Sequence, residues 1–430
     1  MSRKTKLDEN WEKIFQKHKI LEKVQNNGFV DISAKQINEF REARLMTKFD
    51  HRSQLPTLFS KNNLSILPTS RGTYTIGEFE IFNDFNTDET DIQTIEFPSF
   101  LESLDYKNIT SESTAINCAF VSNILHNFTN EDSLLPTVSG RMSSSTFDFK
   151  VNSSKGLFKV MVENSQIEID GGYEGDDSLV LIEAKNYISD DFLVRQLYYP
   201  FRLWDGKVTK KVRPVFLTYS NGVFHLREYE FTESNKYNSI VLIRHKKYVV
   251  QEGSFNIEAL EEILEKTKLR TEPTNVPFPQ ADSFERVINL CELLNEREFI
   301  TKEDITANYD FDQRQTDYYS NAGKYLGLVE IGRDEATGQI GCYLTKLGKR
   351  IFDINIIDRQ KEFVKLILSQ KAFKNTLKLN LKNGEIPTKD EIVEIMKKSK
   401  LHKVDSDSTY YRRASTILGW INWILDQVEE

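Results

Sequence analysis

Cysteine is scarce: the 430-residue chain holds three, Cys118, Cys291 and Cys342, far apart. An odd number without metal-type spacing excludes a disulfide framework and a zinc ribbon, and predicts reduced thiols in a core. Histidine is nearly as rare. The six, His18, His51, His126, His225, His245 and His402, show no ligand spacing, so histidine metal sites and His-activated nucleophiles find no support. Long apolar runs are missing too. Nothing approaches the ~20 residues that cross a bilayer, and the opening MSRKTKLDENWEK is polar, unlike a secretory signal. The expectation is a cytoplasmic protein without membrane contact. Of ten prolines, three fall in TEPTNVPFPQA, residues 271–281, which reads as a linker.

What is present is a globular composition, 39% hydrophobic and 28% charged, with length for several domains. The net charge of −8 conceals a split. Residues 1–73 hold 14 Lys+Arg against 8 Asp+Glu, residues 78–191 hold 6 against 22, and residues 341–430 hold 17 against 12. An acidic centre between basic ends suits a carboxylate metal site flanked by phosphate-binding segments.

Apolar spacing predicts helices over Glu9–Val24, ended by Gly28, and over Ala34–Met46, capped by Ser33. The stretch LSILPTSRGTYTIGEFEIF alternates as half-buried strands do. Residues 84–113 read as an acidic, loop-rich connection, and Thr114–Phe128 as a buried helix. Strands follow at FDFKV, LFKVMVE, QIEID, SLVLIEAK and VRPVFLTYS, interrupted by a helix at DDFLVRQLYYPFRLW. NGVFHLREYEF and SIVLIRHKKYVV add strands, and EGSFNIEALEEILEKTK a closing helix. The sum is an α/β layer.

The chemistry concentrates in Gln166–Asn186, QIEIDGGYEGDDSLVLIEAKN. Asp170 is read as ending a strand, with Gly171-Gly172 as the hairpin turn. Glu183 and Lys185, two apart on the next strand, point to one face. Charges at the end of such an apolar strand are costly unless something pairs with them. A divalent cation explains the cost. Hard Mg²⁺ takes oxygen ligands, and Asp170, Glu183 and the Ala184 carbonyl supply three. Lys185 would orient a water or stabilise a pentavalent phosphorus.

The pattern Asp170-x₁₂-Glu183-Ala184-Lys185 resembles the PD-(D/E)xK nuclease superfamily, and the phrase around it resembles bacterial type II restriction endonucleases. Ile169 stands where the name-giving proline would. Gln196, in FLVRQLYYPFRLW, sits where many members carry a glutamine that contacts the site or the DNA, with Arg195 beside it. Glu112, just before the expected first core helix, is the one candidate for a further metal-binding acid. Glu168 either supports the site or is an exposed strand residue. The resemblance implies a restriction-endonuclease-like mixed-sheet core flanked by helices. It further implies Mg²⁺-dependent hydrolysis of double-stranded DNA to 5′-phosphate ends, a homodimer where both strands of a palindrome are cut, and a cognate DNA methyltransferase. A repair, junction-resolving or transposition nuclease, or a DNA-binding regulator with an inactive core, are the alternatives.

Four domains are expected: an arm over 1–75, a core over 76–270, a winged helix over 283–355 and a helix-turn-helix-like module over 356–430. In the arm, Arg52 and Arg71 are candidate DNA contacts. The winged helix places Arg314, Gln315, Tyr318, Asn321 and Lys324 on its third helix, where side chains reach phosphates and base edges; a protein-binding winged helix is the alternative. In the last module Thr409, Tyr410, Arg412 and Arg413 occupy the polar start of a helix whose end is apolar. That polarity fits entry into a groove by the N-terminus, or else a plain bundle cap.

Overall fold

The alternating middle of the chain folds, in a computed structural model describing residues 5–85, 90–250, 255–334 and 338–428, into a seven-stranded mixed sheet. Across the sheet the strands are Ile92–Ile95, Ile240–Val250, Val223–Phe231, Lys211–Ser220, Ser178–Lys185, Gln166–Glu174 and Leu135–Ser143. Ser178–Lys185 lies inside, antiparallel to Gln166–Glu174 and parallel to Lys211–Ser220. Every residue of it is buried, as an apolar pattern on both faces requires. Leu179 and Leu181 pack with Leu197 and Tyr198 of the helix Arg195–Asp205. Val180, Ile182 and Ala184 pack on the opposite face with Ala115, Ile116 and Ala119 of the helix Glu112–Val121. The parallel step from Ser178–Lys185 to Lys211–Ser220 needs a crossover, and Arg195–Asp205 supplies it.

Several expectations are corrected. Gly171 and Gly172 lie inside the continuous strand Gln166–Glu174, and the turn falls at Gly175–Asp177. The glycines serve packing instead: a Cβ on Gly172 would stand 2.7 Å from Val138 Cβ, and one on Gly171 3.2 Å from Ile116 Cγ2. Thr114–Phe128 divides into Glu112–Val121 and Ile124–Thr129 at Asn123, whose φ is 61°. Glu9–Val24 divides into Lys6–His18 and Ile20–Asn27 at Lys19, with φ 52°. Ala34–Met46 holds two short helices, Ala34–Asn38 and Ala43–Met46. Asp191–Leu193 is a strand paired with Phe82–Asp84, so the helix begins only at Arg195.

The N-terminal segment forms its own core around Trp11, Phe15, Phe59 and Ile76, over the strands Phe29–Ser33, Thr73–Gly77 and Ser65–Pro68. After the sheet, the helix Ile257–Lys266 joins a C-terminal core running from Phe255 to Ile424; the start of that expected helix, 252–254, lies outside the described residues. Residues 271–281 are packed rather than free, with Val276, Phe278 and Ala281 buried in this core. Helix Phe284–Glu296, strand Ile300–Thr301, helices Lys302–Asn308 and Gln313–Tyr325, and strands Val329–Arg333 and Ile340–Leu344 follow in that order. The three strands form one sheet, and residues 335–337 at the tip of the expected wing lie outside the described residues. Phe284 packs against Trp420 and Trp423, so segments 283–355 and 356–430 share one core. No described helix is long and apolar enough to cross a membrane. The three cysteines are free and buried.

Candidate active site

The ladder between Gln166–Glu174 and Ser178–Lys185 ends at the pair Gly171–Ile182. Beyond it the strands part, and the Asp170 side chain fills the opening: Oδ2 accepts the Ala184 N–H at 2.9 Å. Glu183 and Lys185 lie on the same face of the strand, 9% and 8% exposed. Lys185 Nζ donates to Glu183 Oε1 at 2.6 Å and to the Ala184 carbonyl at 3.0 Å. Gln196, in the first turn of its helix, donates through Nε2 to the same Glu183 oxygen at 2.6 Å. Its Oε1 is buried without a partner. A cavity of about 10 Å³, room for one water, is bounded by Glu168, Glu183, Gln196 and Pro214.

Glu112 lies within the first turn of its helix, not before it, and its carboxylate stands 3.7 Å from Lys185 Nζ. Burial pushes Glu183 up to about 8; Lys185 pulls the other way, and Asp170 and Glu112 add to the rise. Burial also raises Glu112, with Lys185 opposing and Asp170 adding. For Lys185 burial opposes the charge, but Glu183 and Glu112 outweigh it and hold the ammonium well above its usual range. The site is short of positive charge: three carboxylates crowd one ammonium, and a hard cation would relieve them. Oxygen donors, an orphaned amide oxygen and this crowding fit Mg²⁺. Glu168 forms a cross-strand pair with Arg141 at 3.2 Å, more than half exposed, and borders the cavity.

The structure therefore brings Asp170, Glu183, Ala184, Lys185 and Gln196 together, with Glu112 beside them. The DNA-contact candidates are scattered. Arg52 is tied to Asp191 at 3.0 Å and to Asp84. Arg71 is exposed in the turn before Thr73–Gly77. Arg195 lies over the Tyr199 ring. On the helix Gln313–Tyr325, Arg314 is exposed, while Tyr318 and Asn321 are half-buried. Gln315 closes a capping box with Asp312, and Lys324 pairs with Glu330 at 3.1 Å. In the helix Asp407–Asp426, Arg412 is exposed. Thr409 bonds Ser406 at 2.8 Å, and Tyr410 lies under Lys397. Arg413 is half-buried and donates to the Phe278 carbonyl.

Sequence reasoning missed a junction two residues beyond Lys185. His51 Nε2 meets the Tyr187 hydroxyl at 3.0 Å, and Tyr187 packs edge-on against Tyr309. Asn289 holds the loop through the Asn186 carbonyl and the Ile188 N–H, each at 3.2 Å. His51, Asp191 and Asp310 offer ligand atoms within 4.8 Å of one another. Each already has protein partners: Arg52 on Asp191, the Asp190 N–H and Ser53 on Asp310, Tyr187 on His51. Two arginines, Arg52 and Arg286, supply the counter-charge a metal would bring. The junction therefore reads as a clamp between segments. No spacing in the sequence marks it, because its members come from four separate segments.

Three family models match the chain, each described as a domain of unknown function: DUF6996 over residues 8–76, DUF6997 over 77–249 and DUF7226 over 286–429. No curated protein and no solved structure matches it.

Proposed function

We propose that the chain is a Mg²⁺-dependent endonuclease of the PD-(D/E)xK kind, cutting double-stranded DNA as a type II restriction enzyme does. The observation that carries the reading is the convergence of Asp170, Glu183 and Lys185 where two core strands part. Asp170, Glu183 and the Ala184 carbonyl would hold the ion, which would supply Lewis-acid polarisation of the phosphodiester. Asp170 is held rigid by the Ala184 N–H, leaving its second oxygen available. Gln196 fixes the rotamer of Glu183 from the helix side. Lys185, charged and close to the opening, donates to the attacking water or to the developing phosphoryl charge.

The helix–strand–helix–helix–strand–strand order of residues 284–344 is the order expected of a winged helix, and supports reading it as a DNA-contacting module with Arg314 and Tyr318 forward. A homodimer would place one such site on each strand of a palindrome, and a methyltransferase would protect the host's own sites. Incubating the protein with unmethylated phage DNA and Mg²⁺ tests the reading. Discrete fragments support a restriction enzyme. Nicking that follows DNA structure moves it to a repair or junction nuclease, and binding without cutting to a regulator.

A further inference from the structure

The sheet face that carries Glu183 and Lys185 continues into a patch of basic side chains. Lys185 lies opposite Thr218, Thr218 opposite His225, and His225 opposite Lys247. One pleat back, Glu183 lies opposite Phe216, Phe216 opposite Arg227, and Arg227 opposite His245. Residues directly opposite in a ladder project to the same face. The His225 and His245 rings stack at 5.8 Å, and the Arg227 guanidinium lies over the Phe85 ring at 4.6 Å.

This patch lacks what buried cations require. Arg227 is only 9% exposed, and among the described residues no carboxylate pairs with it. Arg227 Nε, His225 Nδ1, His245 Nε2 and the Tyr229 hydroxyl are all buried without a hydrogen-bond partner. Arg213, buried on the opposite face of the same sheet, shows the usual solution: both its Nε and NH2 bond Glu228 at 2.8 Å. Leaving a charge buried and unpaired is strongly destabilising, and leaving several polar atoms orphaned beside it adds to the cost. Burial, then Arg227, holds His225 well below its usual range and His245 at about 4. One anion at Arg227 would satisfy the guanidinium and accept from the two neighbouring imidazoles, since a phosphoryl group accepts several charge-assisted bonds and matches a guanidinium fork.

We propose that His225, Arg227 and His245 form a phosphoryl-binding subsite beside the candidate active site. Phe85 covers the guanidinium, and the half-buried His225 and His245 leave the approach on their side. The patch begins two strands from Lys185, roughly 10 Å at ordinary strand spacing, within reach of a neighbouring phosphate on a DNA strand held at the candidate site. The ligand is therefore either a backbone phosphate away from the cut or a free phosphate or phosphate monoester. Only the first source rests on the nuclease reading.

The test titrates inorganic phosphate, without Mg²⁺, into the full-length protein labelled at histidine Cε1. The resonances of His225 and His245, assigned through His225→Gln and His245→Gln, are expected to shift saturably. Arg227→Met should weaken this binding at least ~10-fold, with a Tm no lower than wild type because the lost charge had no carboxylate partner and the methionine keeps an apolar contact with Phe85. Arg227→Lys should keep part of the affinity. Should Arg227→Met fail to fold, Arg227→Lys decides, because weakened binding at unchanged Tm supports the subsite. Shifts absent in wild type, or equal in the Arg227 variants, overturn it. A short DNA duplex that displaces phosphate identifies the backbone as the source; a duplex that leaves it bound identifies a free phosphoryl compound. Neither result depends on cleavage, so failure of the nuclease reading leaves the subsite standing.

Discussion

Asp170 takes the place of a strand partner: its Oδ2 accepts the Ala184 N–H at 2.9 Å just past the point where the ladder between their strands ends. That bond fixes one carboxylate oxygen against the residue between Glu183 and Lys185. An amide at position 170 keeps an acceptor for the N–H and removes the charge. Asp170→Asn is therefore expected to lower cleavage at least ~100-fold, the scale of losing one charge-stabilising group. Its Tm should stay close to wild type. Rate assays with thermal unfolding on the same sample check both halves.

The pH dependence follows from Glu183. Burial, assisted by Asp170 and Glu112 and opposed by Lys185, pushes its carboxyl up to about 8. A carboxyl raised on folding stabilises the protein while protonated. That contribution is complete below the unfolded value, roughly 4.3, and is lost as the pH climbs through about 8. Metal-free protein should thus lose Tm across this window, whereas Glu183→Gln should not, and should be the more stable of the two above it. Cleavage runs the other way. The proton must leave before the carboxylate binds a cation, so activity at limiting Mg²⁺ should rise by up to about tenfold per pH unit towards 8.

Gly172 is required by close approach rather than by a turn. A Cβ there would meet Val138 Cβ at 2.7 Å and its carbonyl oxygen at 2.9 Å. Gly172→Ala must push apart the strands that position Asp170. Overpacking of this kind costs about 1–3 kcal/mol. A lower Tm with reduced cleavage is expected, and a silent substitution would show that the two strands have slack.

How much of this was legible in the chain is best seen at the site. Asp170, Glu183, Lys185 and Gln196 were readable because their contacts are set by strand parity and by one short crossover, both local in sequence. The central strand is legible because Leu179, Val180, Leu181 and Ile182 form an unbroken apolar run inside a wholly buried strand. The glycine pair reads as a turn in the sequence but lies inside a strand, because a turn and a close strand–strand contact both call for glycine and only the three-dimensional neighbour of Gly172, Val138, distinguishes them. The His51–Tyr187 contact spans 136 positions, and the register that aligns Arg227 with Glu183 runs through three strands; no periodicity encodes either. The proline-rich 271–281 looked like a linker because composition cannot report that Phe278 stacks on Phe373.

Among the basic residues of the C-terminal body, exposure separates contact from structure. Arg412 is exposed, whereas Arg413 donates to the Phe278 carbonyl. Arg412→Ala should reduce the slope of log affinity against log salt by about 1 and leave Tm unchanged. Arg413→Ala should lower Tm and leave the slope. Binding isotherms at several salt concentrations separate the two.

The most direct measurement compares wild type with Lys185→Ala on duplex DNA with Mg²⁺, scoring cutting on a gel and binding by mobility shift without metal. Wild type is expected to cut, Lys185→Ala not to cut, and both to bind equally. Cutting that persists without the Lys185 ammonium, or wild-type protein that binds no DNA, would contradict the nuclease reading.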